Sequence, residues 1–191
     1  MEPQIFVVQN KQNIEENTFE YLLQFVDEDK KNRILSKRNK QDANNSLIGN
    51  ILVKYAIKKV FGIDIKEQEF CYTEKGKPYL KKYPDIYFNI SHSSEYVACV
   101  VWNKPIGIDI QEIKYYPYMM MRRVCSEEEI FEIENSENFI SEFIKIWTIK
   151  EAVLKRKGTG ILNNIRDCLS EEDLENSKSY KLKHYWLSIS M

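Results

Sequence analysis

The apolar pattern of this chain runs through once and then begins again. Ile5–Val8 reads as a short strand, and Phe19, Leu22, Leu23 and Val26 follow at helical spacing behind Asn17 or Thr18 as a cap. A long helical pattern from Ala43 to Phe61 is closed by Gly62, and strands follow at Phe70–Tyr72, Phe88–Ile90 and Tyr96–Trp102. At Ile106–Ile110 a strand opens the series afresh. Helical patterns follow over 117–134 and 136–157, and Tyr185–Ile189 closes it with another apolar strand. Residue identity between the halves is slight, so what repeats is architecture. The order predicts an α+β chain of two similar lobes, 1–104 and 105–191, joined near Asn103–Pro105.

Bulk properties narrow the function. Lys and Arg number 28 against 29 acids, so no dominant basic field exists for nucleic acid, although a local basic pocket is possible. The four cysteines show no paired metal spacing, and with two histidines they argue against zinc and for reduced thiols. The opening MEPQIFVVQN has no basic segment ahead of an apolar run, and Tyr96–Trp102 is too short to span a bilayer. The expectation is a cytoplasmic protein that acts on neither nucleic acid nor membrane.

Two segments spend polar groups where a core prefers apolar ones. In IGIDIQ, Ile106, Ile108 and Ile110 share one strand face, while Gly107, Asp109 and Gln111 share the other. In FISEFIKIWTIKEAVLK, Glu151 falls within the helical stripe of Ile140, Ile144, Trp147 and Leu154. Lys150 falls within the stripe of Phe139, Phe143, Ile146 and Val153. A carboxylate so placed needs a cation, a metal or a proton, and an internal Lys–Glu pair is an equal alternative. Asp109, Gln111 and Glu151 offer only oxygens, a set suited to Mg²⁺ with phosphate completing the shell. Cations for a phosphate stand at Lys30, Arg33, Lys77, His92, Lys150 and Lys155.

These residues resemble the surfactin-type 4′-phosphopantetheinyl transferase family. The likeness rests on FNISHS (88–93), PIGIDI (105–110) and WTIKEA (147–152), with GKP (76–78) and Asp42-Ala43, Leu47 and Gly49 in support, over about residues 25–161. The resemblance implies a pseudo-twofold pair of lobes, each a small, mostly antiparallel sheet packed with helices. It gives the nucleotide and 3′-phosphate of coenzyme A to the first lobe, and the metal and carrier-protein side to a shortened second lobe. The implied reaction moves the phosphopantetheine arm of coenzyme A onto a serine of an acyl or peptidyl carrier protein, with Mg²⁺ (or Mn²⁺), and releases 3′,5′-ADP. Asp109 and Glu151 would hold the metal, with Gln111 in direct contact or one layer out. Lys155 would meet the diphosphate. Lys30, Arg33, Ser46 and His92 would bind the nucleotide's phosphate, Lys77 and Pro78 the adenine wall, and Ser91 is a further candidate contact for coenzyme A. Glu151 is the candidate base, Lys150 and Lys155 are further catalytic candidates, and Glu129 matches an acidic position of the family's cleft.

The chain departs from the family at Gln111, where many relatives carry a second acid, and at Asn45, where an arginine is common. Both remove charge. A relative that binds coenzyme A or 3′,5′-ADP with weakened catalysis is therefore an alternative, as is another Mg²⁺-dependent phosphate-transfer enzyme. The stretch Tyr115–Arg123, with Met119, Met120 and Met121, and Lys114 beside it, is a candidate contact for an acidic carrier. Two lobes in one chain predict a monomer.

Overall fold

The computed structural model describes residues 1–160 and 165–191, and its contacts divide the chain into two units, Met1–Lys104 and Pro105–Met191. Ile161, the last residue of the motif-bearing span, lies outside the described residues.

The first unit contains β1 (Gln4–Gln9), α1 (Glu16–Leu23), α2 (Glu28–Leu35), α3 (Lys40–Phe61), the short strands β2 (Phe70–Tyr72) and β3 (Pro78–Leu80), then β4 (Tyr87–Ser93) and β5 (Tyr96–Trp102). Its main sheet has the order β1-β5-β4, antiparallel throughout, and β2 pairs with β3 apart from it. Helix α3 lies on this sheet because Val53, Ala56 and Ile57 fall on one stripe and meet Phe88, Cys99 and Val101 in a closed apolar cluster. Asn39 starts the helix by accepting the Asp42 N–H, and Gly62 ends it at φ 73°, a left-handed value that costs glycine little.

The second unit contains β6 (Gly107–Glu112), α4 (Tyr118–Val124), α5 (Glu127–Glu134), α6 (Phe139–Lys157), α7 (Glu171–Glu175), β7 (Ser177–Leu182) and β8 (Tyr185–Ser190). Its sheet has the order β6-β8-β7, again antiparallel. The two units thus share a topology: the opening strand pairs with the closing one, and the strand just before the closing one flanks it. The likeness extends to the turns. Ser94 and Lys183 each take a left-handed φ, 48° and 50°, in two-residue hairpins. The residue after each opening strand donates its N–H to the hairpin, Asn10 to Glu95 O at 2.5 Å and Ile113 to His184 O at 2.6 Å. This is the α+β arrangement that the sequence predicts.

Several expectations are corrected. Helix α1 starts at Glu16 behind Glu15, so Asn17 and Thr18 lie inside it and cap nothing. Helix α3 starts at Lys40, three residues before Ala43, because Asn39 supplies the cap. The 117–134 helix is two helices, broken where Ser126 and Glu129 form a capping box that restarts the backbone at α5. Strand β7 adds to the predicted elements, since SKSYKL carries no strand-like apolar alternation. Among the described residues, no helix is long and apolar enough to cross a membrane, and all four cysteines are free thiols.

Candidate active site

In the second unit the site begins with a glycine. A Cβ built on Gly107 would stand 1.9 Å from Ala152 O and 2.6 Å from Arg156 N, so β6 and α6 touch backbone to backbone there. That approach fixes the next turn of each element. Asp109, two residues along the strand, is 2% exposed, and its Oδ1 pairs with Lys155 Nζ at 2.6 Å. Glu151 precedes Ala152 on the same helix. Burial and the Asp109 charge push its carboxyl above the usual range, while Lys155 and the Trp147 indole N–H pull the other way. Asp109, Glu151 and Lys155 are therefore one electrostatic cluster.

Beside it runs a hydroxyl chain of fixed direction. Thr148 Oγ1 donates to Lys145 O at 2.8 Å, and a carbonyl can only accept. Thr148 must then accept from Ser188 Oγ at 2.7 Å, and Ser188 from Ser179 Oγ at 2.8 Å. Ser188 is the register partner of Asp109, so the chain fastens α6 to the strand next to the carboxylate.

Lys150 stands elsewhere. Its side chain is fully buried, and its ammonium donates to Glu129 Oε2 at 2.6 Å, to Val124 O at 2.9 Å and to Arg166 O. All three protons are used by the frame of the unit. The internal Lys–Glu pair is thus real, but its acid is Glu129, which also receives the Ser126 N–H at 2.7 Å. Neither Lys150 nor Glu129 is committed to the Asp109 cluster by these bonds.

The first unit holds a cavity of about 270 Å³. Lys30, Arg33, Ser46, Pro78 and His92 line it, as do Tyr72, Phe88 and Gly49. Arg33 lies over the Tyr72 ring, 5.0 Å from its centroid. Burial, with Lys37 and Arg33 nearby, lowers the pKa of Lys30, so this corner is rich in positive charge that an anion would relieve. Lys77 and Ser91 are not in the wall. Lys77 spends its N–H on Thr73 Oγ1 at 3.0 Å in the turn, and Ser91 alternates to the other side of β4 from His92.

Asn45 lines the cavity but is held from within. Its Oδ1 accepts from Asn10 and Gln41, each at 3.1 Å, and its Nδ2 donates to Ser94 O at 2.7 Å. It ties α3 to the hairpin that follows His92. Tyr72 and Gly49 as wall residues were not foreseen. The signal for Gly49 is a glycine inside a strong helix, since a Cβ there would meet Ile90 Cγ2 at 2.9 Å. Tyr72 carried no comparable signal.

The donor chemistry of the second-unit cluster fits a hard cation. Asp109 and Glu151 are oxygen donors, Gln111 lies two residues along β6 on the same strand face, and a lysine ammonium already sits on Asp109 as a positive charge. Among the described residues, no three His, Cys, Asp or Glu side chains gather in one place. An ion here would therefore take its remaining oxygens from Gln111, water or a bound phosphate.

Comparison with known proteins agrees with both units. Residues 12–103 match the family described as 4′-phosphopantetheinyl transferase, N-terminal, and residues 105–188 match the 4′-phosphopantetheinyl transferase superfamily. A 4′-phosphopantetheinyl transferase of Bacillus subtilis is 36% identical over 125 residues, 64% of this chain and 56% of its own length. The 4′-phosphopantetheinyl transferase Sfp of Bacillus subtilis strain 168 is 32% identical over 77% of this chain and 66% of its own length. The 4′-phosphopantetheinyl transferase gsp of Aneurinibacillus migulanus is 31% identical over 88% of this chain and 71% of its own length. The chain thus spans between about half and three quarters of these relatives.

Proposed function

The chain belongs to the surfactin-type 4′-phosphopantetheinyl transferase family, and we propose that it transfers the phosphopantetheine arm of coenzyme A to a serine of an acyl or peptidyl carrier protein. The observation that carries this reading is the cation-bearing carboxylate cluster of Asp109, Glu151 and Lys155, fixed by the backbone contact at Gly107.

In this reading Lys30, Arg33 and His92 bind the 3′-phosphate, and Tyr72 and Pro78 wall the adenine. Asp109 and Glu151 would hold Mg²⁺, with Gln111 as a neutral oxygen donor, and the ion would supply charge neutralisation on the diphosphate. Lys155 binds a diphosphate oxygen and stabilises negative charge on the departing 3′,5′-ADP. The carrier serine oxygen forms a bond to the β-phosphorus, the one joined to pantetheine, as the bond from that phosphorus to the bridging oxygen breaks. The serine proton passes to Glu151, the candidate base of the cluster. Glu129 is less suited, since its Oε2 already accepts from Lys150 and from the Ser126 N–H.

The test is a mass measurement. A carrier incubated with this protein, coenzyme A and Mg²⁺ should gain one phosphopantetheine arm, and Glu151→Gln should lower the rate at least about 100-fold with the fold retained. Coenzyme A binding without any mass gain across a panel of carriers would establish the binding-only alternative.

The carrier surface is assigned to the start of α4. Met119, Met120, Pro117, Arg122, Arg123 and Arg166 line one shallow groove that combines apolar and basic side chains, which suits an acidic partner. Two substitutions should separate the binding functions. Arg33→Ala should raise KM for coenzyme A and leave KM for the carrier unchanged. Met120→Ala with Arg123→Ala should do the reverse. Equal effects on both constants would remove the assignment.

A further inference from the structure

We propose that in the free protein Lys155 occupies the carboxylate a divalent ion would use, so that ion binding is conditional on a diphosphate that draws the lysine away. The inference rests on the functional reading above and adds an order of events to it.

The pair is asymmetric. Asp109 is buried within a sheet strand, its side chain 3% exposed, whereas Lys155 is 27% exposed at the end of a flexible stem. The carboxylate is the fixed partner and the ammonium the mobile one. Their 2.6 Å contact is a strong charge-assisted bond, and it compensates a buried charge that would otherwise destabilise the unit. Lys155 also stands one helical turn after Glu151 and acts on its charge. The cluster thus carries two carboxylates and one ammonium, and Gln111 adds no charge.

A divalent ion arriving alone meets one net negative charge and a cation already seated on its best ligand. It must displace the ammonium from Asp109 or share the carboxylate with it, and either way two cations stand side by side. A diphosphate changes both terms: it accepts the lysine and adds anionic oxygens to the ion's shell. Ion and diphosphate therefore bind with positive coupling, which is reciprocal by linkage.

The experiment titrates the full chain with Mn²⁺ and reads free ion by electron paramagnetic resonance, with and without coenzyme A. Lys155→Met and Lys155→Gln keep the stem and remove the charge, and both are measured so that a packing defect in one does not decide the result. Without coenzyme A, each variant should bind Mn²⁺ at least about fivefold more tightly than wild type, the lower end of usual coupling strengths. Coenzyme A should tighten Mn²⁺ binding to wild type by a similar factor and to the variants by less. Mn²⁺ should also raise the thermal midpoint of the variants more than that of wild type. Unchanged or weaker Mn²⁺ binding in both variants overturns the proposal. Asp109→Asn separates the two levels. If it abolishes Mn²⁺ binding while the lysine variants match wild type, only the occupancy by Lys155 is wrong. If it leaves Mn²⁺ binding intact, the ion does not sit on Asp109, and this proposal falls together with the metal part of the functional reading.

Discussion

Gly107→Ala should cost at least about 100-fold in transfer rate, the penalty expected when reacting groups move by an ångström. The added carbon would lie 1.9 Å from Ala152 O, 2.6 Å from Arg156 N and 3.0 Å from the Ala152 carbonyl carbon. All three are backbone atoms, so no rotamer change relieves the clash. Strand β6 and helix α6 must separate instead. The residues next to the collision are the site itself: Glu151 and Lys155 each adjoin a clashing residue, and Asp109 lies two positions along the strand. Overpacking of this kind usually costs about 1–3 kcal/mol, and an obligatory backbone shift places Gly107→Ala at the upper end. Gly62→Ala is the control. Its φ of 73° strains any L side chain, yet nothing lies within 4 Å of the added carbon. It should lose about 1–2 kcal/mol with transfer intact per folded molecule. Urea denaturation and the mass-shift rate, measured on both variants, decide the matter. A Gly107→Ala protein that transfers within tenfold of wild type would show that the close approach does not hold the site.

What the sequence disclosed and what it concealed divide along physical lines. The alternation in IGIDIQ and the closure of α3 at Gly62 are local patterns, readable without the fold. The break between α4 and α5 was also local, but Met121, Val124, Ile130 and Ile133 all face the same apolar cluster across it, and that continuity hid the capping box at Ser126. Strand β7 escaped because it lies at a sheet edge and reads SKSYKL, where lysines replace the apolar alternation of an inner strand. At the site, Asp109, Glu151 and Lys155 could be named from motifs, whereas their arrangement could not. The pairing of Asp109 with Lys155 depends on how close β6 and α6 come, and only the identity of Gly107 hints at that. The amide network of Asn45 joins residues from β4–β5, α3 and the end of β1, separations that no local pattern encodes.

Lys150→Met should destabilise the second unit by about 3–5 kcal/mol, the usual result of leaving one member of a buried ion pair alone. The lysine is fully buried and Glu129 only 20% exposed, so solvent screens the pair little. The substitution keeps most of the side-chain volume and removes three hydrogen bonds at once. It strands the Glu129 carboxylate and takes the donor from Val124 O and Arg166 O. Those acceptors lie at the end of α4, in the first turn of α5 and just before Cys168, so one ammonium joins three segments to α6. Adding Glu129→Gln should recover about 1–2 kcal/mol, since the orphaned charge is removed while the carbonyls still lack a donor. A double-mutant cycle by urea denaturation measures the coupling. Kinetics then separate structure from chemistry. If Lys150 acts only through the frame, transfer per folded Lys150→Met molecule should fall far less than in Glu151→Gln, and low temperature or a stabilising osmolyte should restore much of the lost activity. A Lys150→Met protein of wild-type stability but without transfer would instead put the ammonium at the reacting phosphate, and would require bonds quite different from the three it makes here.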